Sequence, residues 1–200
     1  MIKPFTLGSI GSLISAVFVG IVFIMNLFPI VNTYDMNLYD SFYFYKVFIY
    51  FFWLLLGVGI VLASFGYRDL RKKYNLLFGT VGFAFGVVAS VSIFFAAAVR
   101  LITLDYMILI YPPTLIHSIN FWASLLNLIF FGLTHIVWGI AHLKSKKFCK
   151  KPNLSLATSG FFIASGVVLL STFSSEIGLG LSFASLLSAS IVFLDLRSDI

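Results

Sequence analysis

The sequence predicts an all-α integral membrane protein: a six-transmembrane-helix bundle with both termini cytoplasmic. Three observations carry that prediction. Of the 200 residues, 60% are hydrophobic and only 10% charged, against about 45–50% and 25% in soluble domains. Apolar runs of helix-spanning length recur along the chain, a bilayer crossing needing about 20 helical residues. The basic residues gather between alternate runs. A water-soluble core could not hide this much apolar surface at this length. The runs are continuous, not alternating, which argues against a membrane barrel.

The expected spans are 7–31, 43–66, 76–99, 116–142, 154–173 and 178–195, and together they make residues 1–200 a single transmembrane domain. The first follows a lone Lys3 and is longer than the 7–15 apolar residues of a signal peptide, so it reads as a retained span. The second opens among Tyr39, Tyr43, Tyr45, Tyr50 and Trp53, as an interfacial aromatic belt would. The third has Gly79, Gly82, Gly86 and Ser90 on one face, and the sixth has Gly178, Ser182, Ser185 and Ala189. Such small-xxx-small stripes are helix-packing seams, because lipid offers no hydrophobic reason for helices to associate. The segment 32–41 is polar and acidic. The segment 100–117 is longer and largely apolar, with Pro112 and Pro113, and is expected to lie along the interface or fold back as a lid.

Charge sets the expected orientation. Arg68, Arg71, Lys72 and Lys73 follow the second run, and Lys144, Lys146, Lys147, Lys150 and Lys151 follow the fourth. With six spans these share one side with Lys3 and Arg197, leaving Lys46 and Arg100 on the other. The basic side is expected to face the cytoplasm of a cell membrane. A net charge of +6 then reflects topology, and no nucleic-acid partner is implied. The Lys-rich loops could also attract anionic lipid, at about 1 kcal/mol per basic residue, but orientation explains them without it. The lone Cys149 can form neither an internal disulfide nor a CxxC pair.

The chain also repeats itself. The pattern N-L-x-x-x-T-x-G-F occurs at Asn75 and again at Asn153, 78 residues on. Each copy follows a run with a central glycine, Gly57 or Gly132. This suggests duplication of the hairpins formed by runs two and three and runs four and five. A fainter echo is Asp69-Leu70-Arg71 against Asp195-Leu196-Arg197.

The candidate chemistry lies on the fourth run. Asn120, Ser124, Asn127, Thr134, His135, Trp138 and His142 fall on one helical stripe. Buried polarity in lipid is costly, so intramembrane polar groups are functional candidates. Asn120, Asn127, Thr134 and His135 are the candidate substrate-binding residues. The ordinary alternative pairs His135 with a hydroxyl of the fifth run, Thr158, Ser159 or Ser165. His117 and His142 are placed at the two boundaries of the membrane. Three histidines strung over about 37 Å of helix cannot share one metal, which needs three or four clustered ligands. No other run supplies a facing histidine for haem, and no cofactor is expected. No carboxylate lies mid-span, which disfavours ion-coupled transport. The chain has no H-E-x-x-H and no P-loop. Ala157-Thr158-Ser159-Gly160 only weakly resembles the rhomboid Gly-x-Ser-Gly, and no histidine follows His142 as that mechanism requires.

Size and span count are similar to the substrate-binding subunits of energy-coupling-factor vitamin transporters. Gly8, Ser12 and Ser15 stand where those subunits use a first-helix small-residue motif, but no specific motif assigns a family. The expectation is a non-catalytic accessory or scaffold subunit, in contact with the bilayer and with other membrane subunits. The alternative is a small-solute permease or binding subunit with its site along the fourth run. A third reading is a redox or metal-binding subunit using His135.

Overall fold

The computed structural model describes residues 5–27, 39–104, 114–171 and 175–197. Among these, six α-helices form: α1 (Thr6–Leu27), α2 (Tyr39–Tyr74), α3 (Leu77–Ile102), α4 (Thr114–Ser145), α5 (Pro152–Ser171) and α6 (Ser175–Arg197). Each carries a segment long and apolar enough to cross a membrane. A helix satisfies its backbone hydrogen bonds within one segment, which hydrocarbon demands. Large apolar side chains such as Ile24, Val91, Leu126, Val167 and Leu194 point outward, where lipid would cover them.

The second and fourth elements run further than hydropathy suggests. Arg71, Lys72 and Lys73 form the last helical turn of α2, not a loop. Lysine and arginine are good helix formers, and the helix stops only at Asn75. That residue adopts φ 54°, a left-handed conformation asparagine tolerates, and its N–H still reaches Arg71 O at 3.0 Å. α4 continues through Ser145 into a 3-10 turn, Lys146–Phe148. Pro152 then opens α5, its fixed φ suiting the first helical position. The expected lid loop lies largely outside the described residues. So do the end of the first span (28–31), most of the acidic segment, and the side chains of Tyr39, Tyr43 and Tyr45.

The helices close into a ring in chain order, each packing on its two neighbours, with α6 returning to α1. Small residues make this closeness possible. Across the antiparallel α1–α2 seam, a Cβ added at Gly8 would stand 2.5 Å from Gly66 Cα, and one at Gly11 would collide with Ala63 N. Ser12 and Ser15 are fully buried, with Ser15 against Gly59, so this stripe is used within the chain. On α3, Gly79 meets Tyr67 O and Arg71, while Gly82 and Gly86 face Trp138. On α6, Ser182 Oγ lies 2.7 Å from Ser165 Oγ of α5, and both hydroxyls lie within hydrogen-bond reach of Gly178 O.

The two copies of the N-L-x-x-x-T-x-G-F pattern meet different surroundings. Gly82 is buried against rings, whereas nothing lies within 4 Å of a Cβ at Gly160. Thr80 is exposed and Thr158 buried. A different regularity links the even-numbered helices. Ile60, His135 and Leu186 are fully buried, and so are Ala63, Trp138 and Ala189. Leu70, Ser145 and Leu196 are buried in the same way. At one level Tyr67, His142 and Phe193 meet as a triangle, with ring centroids 5.3–5.5 Å apart. The Asp-Leu-Arg echo has a matching geometry. Asp69 of α2 accepts the Phe5 N–H just before α1, at 3.0 Å. Asp195 of α6 accepts the Lys151 N–H just before α5, at 3.1 Å.

Candidate functional site

The polar stripe of α4 faces α3 over most of its length, and the two helices are stitched along that seam. Nearest the end remote from the basic loops, Asn120 Nδ2 donates to Thr103 Oγ1 at 2.8 Å and to Ile116 O at 3.0 Å. Arg100 donates to Ser124 Oγ at 2.6 Å, and Ser124 donates in turn to Asn120 O. Deeper, Ser92 Oγ approaches Asn127 Oδ1 at 3.5 Å while donating to Ala89 O at 2.7 Å. Thr134 Oγ1 lies 2.7 Å from Phe130 O and 3.0 Å from Phe85 O of α3. Trp138 Nε1 donates to Gly82 O at 2.8 Å. The partners of Asn120, Asn127, Thr134 and Trp138 thus come mainly from the third helix. Three hydroxyls of α5 are occupied elsewhere: Thr158 donates to Leu154 O, Ser155 to His142 O, and Ser165 turns to α6.

His135 departs from its expected pairing. Its Nδ1 lies 2.8 Å from Phe131 O one turn back. A carbonyl only accepts, so Nδ1 carries the proton and Nε2 presents a lone pair. That lone pair has no partner, and the ring is fully buried between Phe131 at 4.3 Å and Phe162 at 5.3 Å.

His142, expected at the inner boundary of the membrane, lies inside the bundle. It is fully buried, because α4 runs on past it and α2, α5 and α6 close around it. Its Nε2 pairs with Tyr67 O–H at 3.0 Å, and its Nδ1 has no partner. Tyr67 stacks on Trp138 at 4.5 Å, and His142 on Phe162 at 5.6 Å. The bundle interior toward the basic end is thus filled by Tyr67, Trp138, His142, Phe162 and Phe193. Sequence reading missed Tyr67 as a polar partner. The available signal was its place two residues before Asp69-Leu70-Arg71, as Phe193 precedes Asp195-Leu196-Arg197.

The arrangement brings Asn120, Asn127 and Thr134 onto one seam and leaves His135 on the aromatic side. Among the described residues no three His, Cys, Asp or Glu side chains gather as a metal site would need. What remains chemically unspent is two imidazole nitrogens, one on each of two buried rings about 10 Å apart along the helix.

Six apolar helices in this arrangement fit a multi-pass membrane protein. No protein-family model matches the chain, no curated protein is significantly similar to it, and no solved structure matches its fold.

Proposed function

We propose that the protein is a non-catalytic scaffold or accessory subunit of a membrane complex. The observation that supports this is the destination of the α4 polar stripe: its side chains bond across the α3–α4 seam while aromatic rings fill the interior beside it. Polar groups used in this way fix the position of one helix on another. Each such interhelical bond contributes only about 0.6 kcal/mol, but together they define a single register. In this reading the basic end faces the cytoplasm of the cell membrane, and the N-L-x-x-x-T-x-G-F copies at Asn75 and Asn153 descend from an internal duplication of the α2–α3 and α4–α5 hairpins. Purification in mild detergent tests the assignment. A stoichiometric membrane partner that dissociates when the outer helix faces are altered is the expected result. A stable monomer that moves a solute into liposomes would overturn it.

A second reading has one observation in its favour. His135 Nε2 and His142 Nδ1 are buried without partners, and a buried polar atom in a native protein calls for an explanation such as a bound water or ion. A small-solute binding subunit using Asn120, Asn127, Thr134 and His135 would supply one. Under that reading, solute uptake is lost in His135→Phe and retained in Ser182→Ala. Equal uptake by the two variants would remove it.

A further inference from the structure

We propose that the hollow at the end of α4 holds the phosphate group of an anionic membrane lipid. The hollow has a volume of about 390 Å³ and is lined by Leu143, Lys144, Lys146 and Lys147. The three lysines are exposed, and Leu143 is the one apolar residue among the four. Among the described residues none of the three has a carboxylate within ion-pair reach. The two described carboxylates of this end are already engaged. Asp69 accepts the Phe5 N–H and lies 3.8 Å from Arg68, and Asp195 accepts the Lys151 N–H. Three lysines with no neutralising carboxylate from the described residues therefore line one hollow.

The hollow is also held in shape. Cys149 N–H closes the 3-10 turn onto Lys146 O. Ser145 and Ser155 both donate to His142 O, fixing the last turn of α4 to α5. Phe148 stacks on Tyr74 at 4.2 Å, tying the turn to the end of α2. Lys147 Nζ sits 4.9 Å above the Phe148 ring, which limits its freedom before any ligand arrives. Membrane orientation requires positive charge near a span, but it does not require an apolar-lined hollow at the charge. Such a hollow at the end of a membrane-crossing helix suits a ligand with a phosphate head and an apolar body. A phospholipid has that shape, and free phosphate does not use the apolar side.

The full-length protein, in nanodiscs of phosphatidylcholine with added phosphatidylglycerol, provides the test. After detergent extraction, native mass spectrometry is expected to show one phosphatidylglycerol retained per chain in preference to phosphatidylcholine. The triple variant Lys144→Gln/Lys146→Gln/Lys147→Gln is expected to bind it on the order of 100-fold more weakly, from the lipid attraction of three basic residues. The corresponding Lys→Arg triple variant is expected to recover most of the binding. Equal retention of the two lipids by the wild-type protein would overturn the proposal, whatever the variants do. So would undiminished phosphatidylglycerol binding by a folded Gln variant. Displacement of the lipid by millimolar inorganic phosphate would also overturn it, since the ligand would then be the free anion.

Discussion

Gly82 and Gly160 occupy the same place in a repeated sequence pattern, yet alanine at the two sites is expected to act in opposite directions. At Gly82 a new Cβ would lie 3.2 Å from Trp138 Cδ1 and 3.2 Å from Tyr67 Cδ1. Ordinary carbon contacts are about 3.5–4.0 Å, so the two rings must retreat by a few tenths of an ångström. They are poorly placed to do so. They stack on each other at 4.5 Å, Trp138 is anchored to Gly82 O, and Tyr67 is anchored to His142. Overpacking of this kind costs about 1–3 kcal/mol, offset by the ~0.8–1 kcal/mol that alanine gains over glycine within a helix. The net for Gly82→Ala is a loss of about 1 kcal/mol. At Gly160 nothing lies within 4 Å, so only the helical gain remains, and Gly160→Ala stabilises by up to ~1 kcal/mol. Unfolding in mixed micelles with increasing dodecyl sulfate, followed by far-ultraviolet circular dichroism, measures both variants in one format. If Gly160→Ala destabilises as much as Gly82→Ala, the placement of α5 relative to the interior is refuted.

Tyr67→Phe removes the partner of His142 Nε2 and is expected to cost about 1–3 kcal/mol, the penalty for an unsatisfied buried group. Tyr67→Phe combined with His142→Phe should recover most of that loss in the same assay, since both polar groups are then gone. Asn120→Leu breaks the bond to Thr103 but should cost only about 0.6 kcal/mol, typical of an interhelical hydrogen bond in a bilayer. A loss several times larger would mean that the α3–α4 seam carries more than packing. Cys149 lies on the basic side in the Lys146–Cys149 turn. Impermeant maleimide applied to intact cells should leave it unlabelled, and ready labelling would reverse the orientation proposed from the charges.

How much of this was legible beforehand follows from the kind of interaction involved. Spans could be read because hydrocarbon forces each segment to satisfy its own backbone, so length and hydropathy carry the information locally. The stripe Asn120–Asn127–Thr134 was legible for a similar reason, helical periodicity being a local property. Its partners were not. Ser92, Thr103, Phe85 O and Gly82 O belong to α3, and nothing in the α4 sequence distinguishes that neighbour from α5. The helices α2 and α4 also run beyond the apolar spans 43–66 and 116–142. Hydropathy falls where charged residues begin, whereas the helical backbone continues until a residue such as Asn75 leaves it.

The sequence alone determined an all-helical chain with six candidate crossings, its basic residues placed in alternate connections, and glycine and serine spaced for close packing. These are consequences of local composition and period. Only the tertiary structure decided that the helices close into a ring, with α6 against α1, and that α2, α4 and α6 share one buried register. It also decided that His142 is an interior residue bonded to Tyr67, and that the two glycines of the repeated pattern lie in different environments. Those outcomes depend on which face of each helix meets which neighbour. That choice is made by side chains from distant segments fitting together, and residues as far apart as Ser9 and Ser190 are brought within 3.0 Å by it.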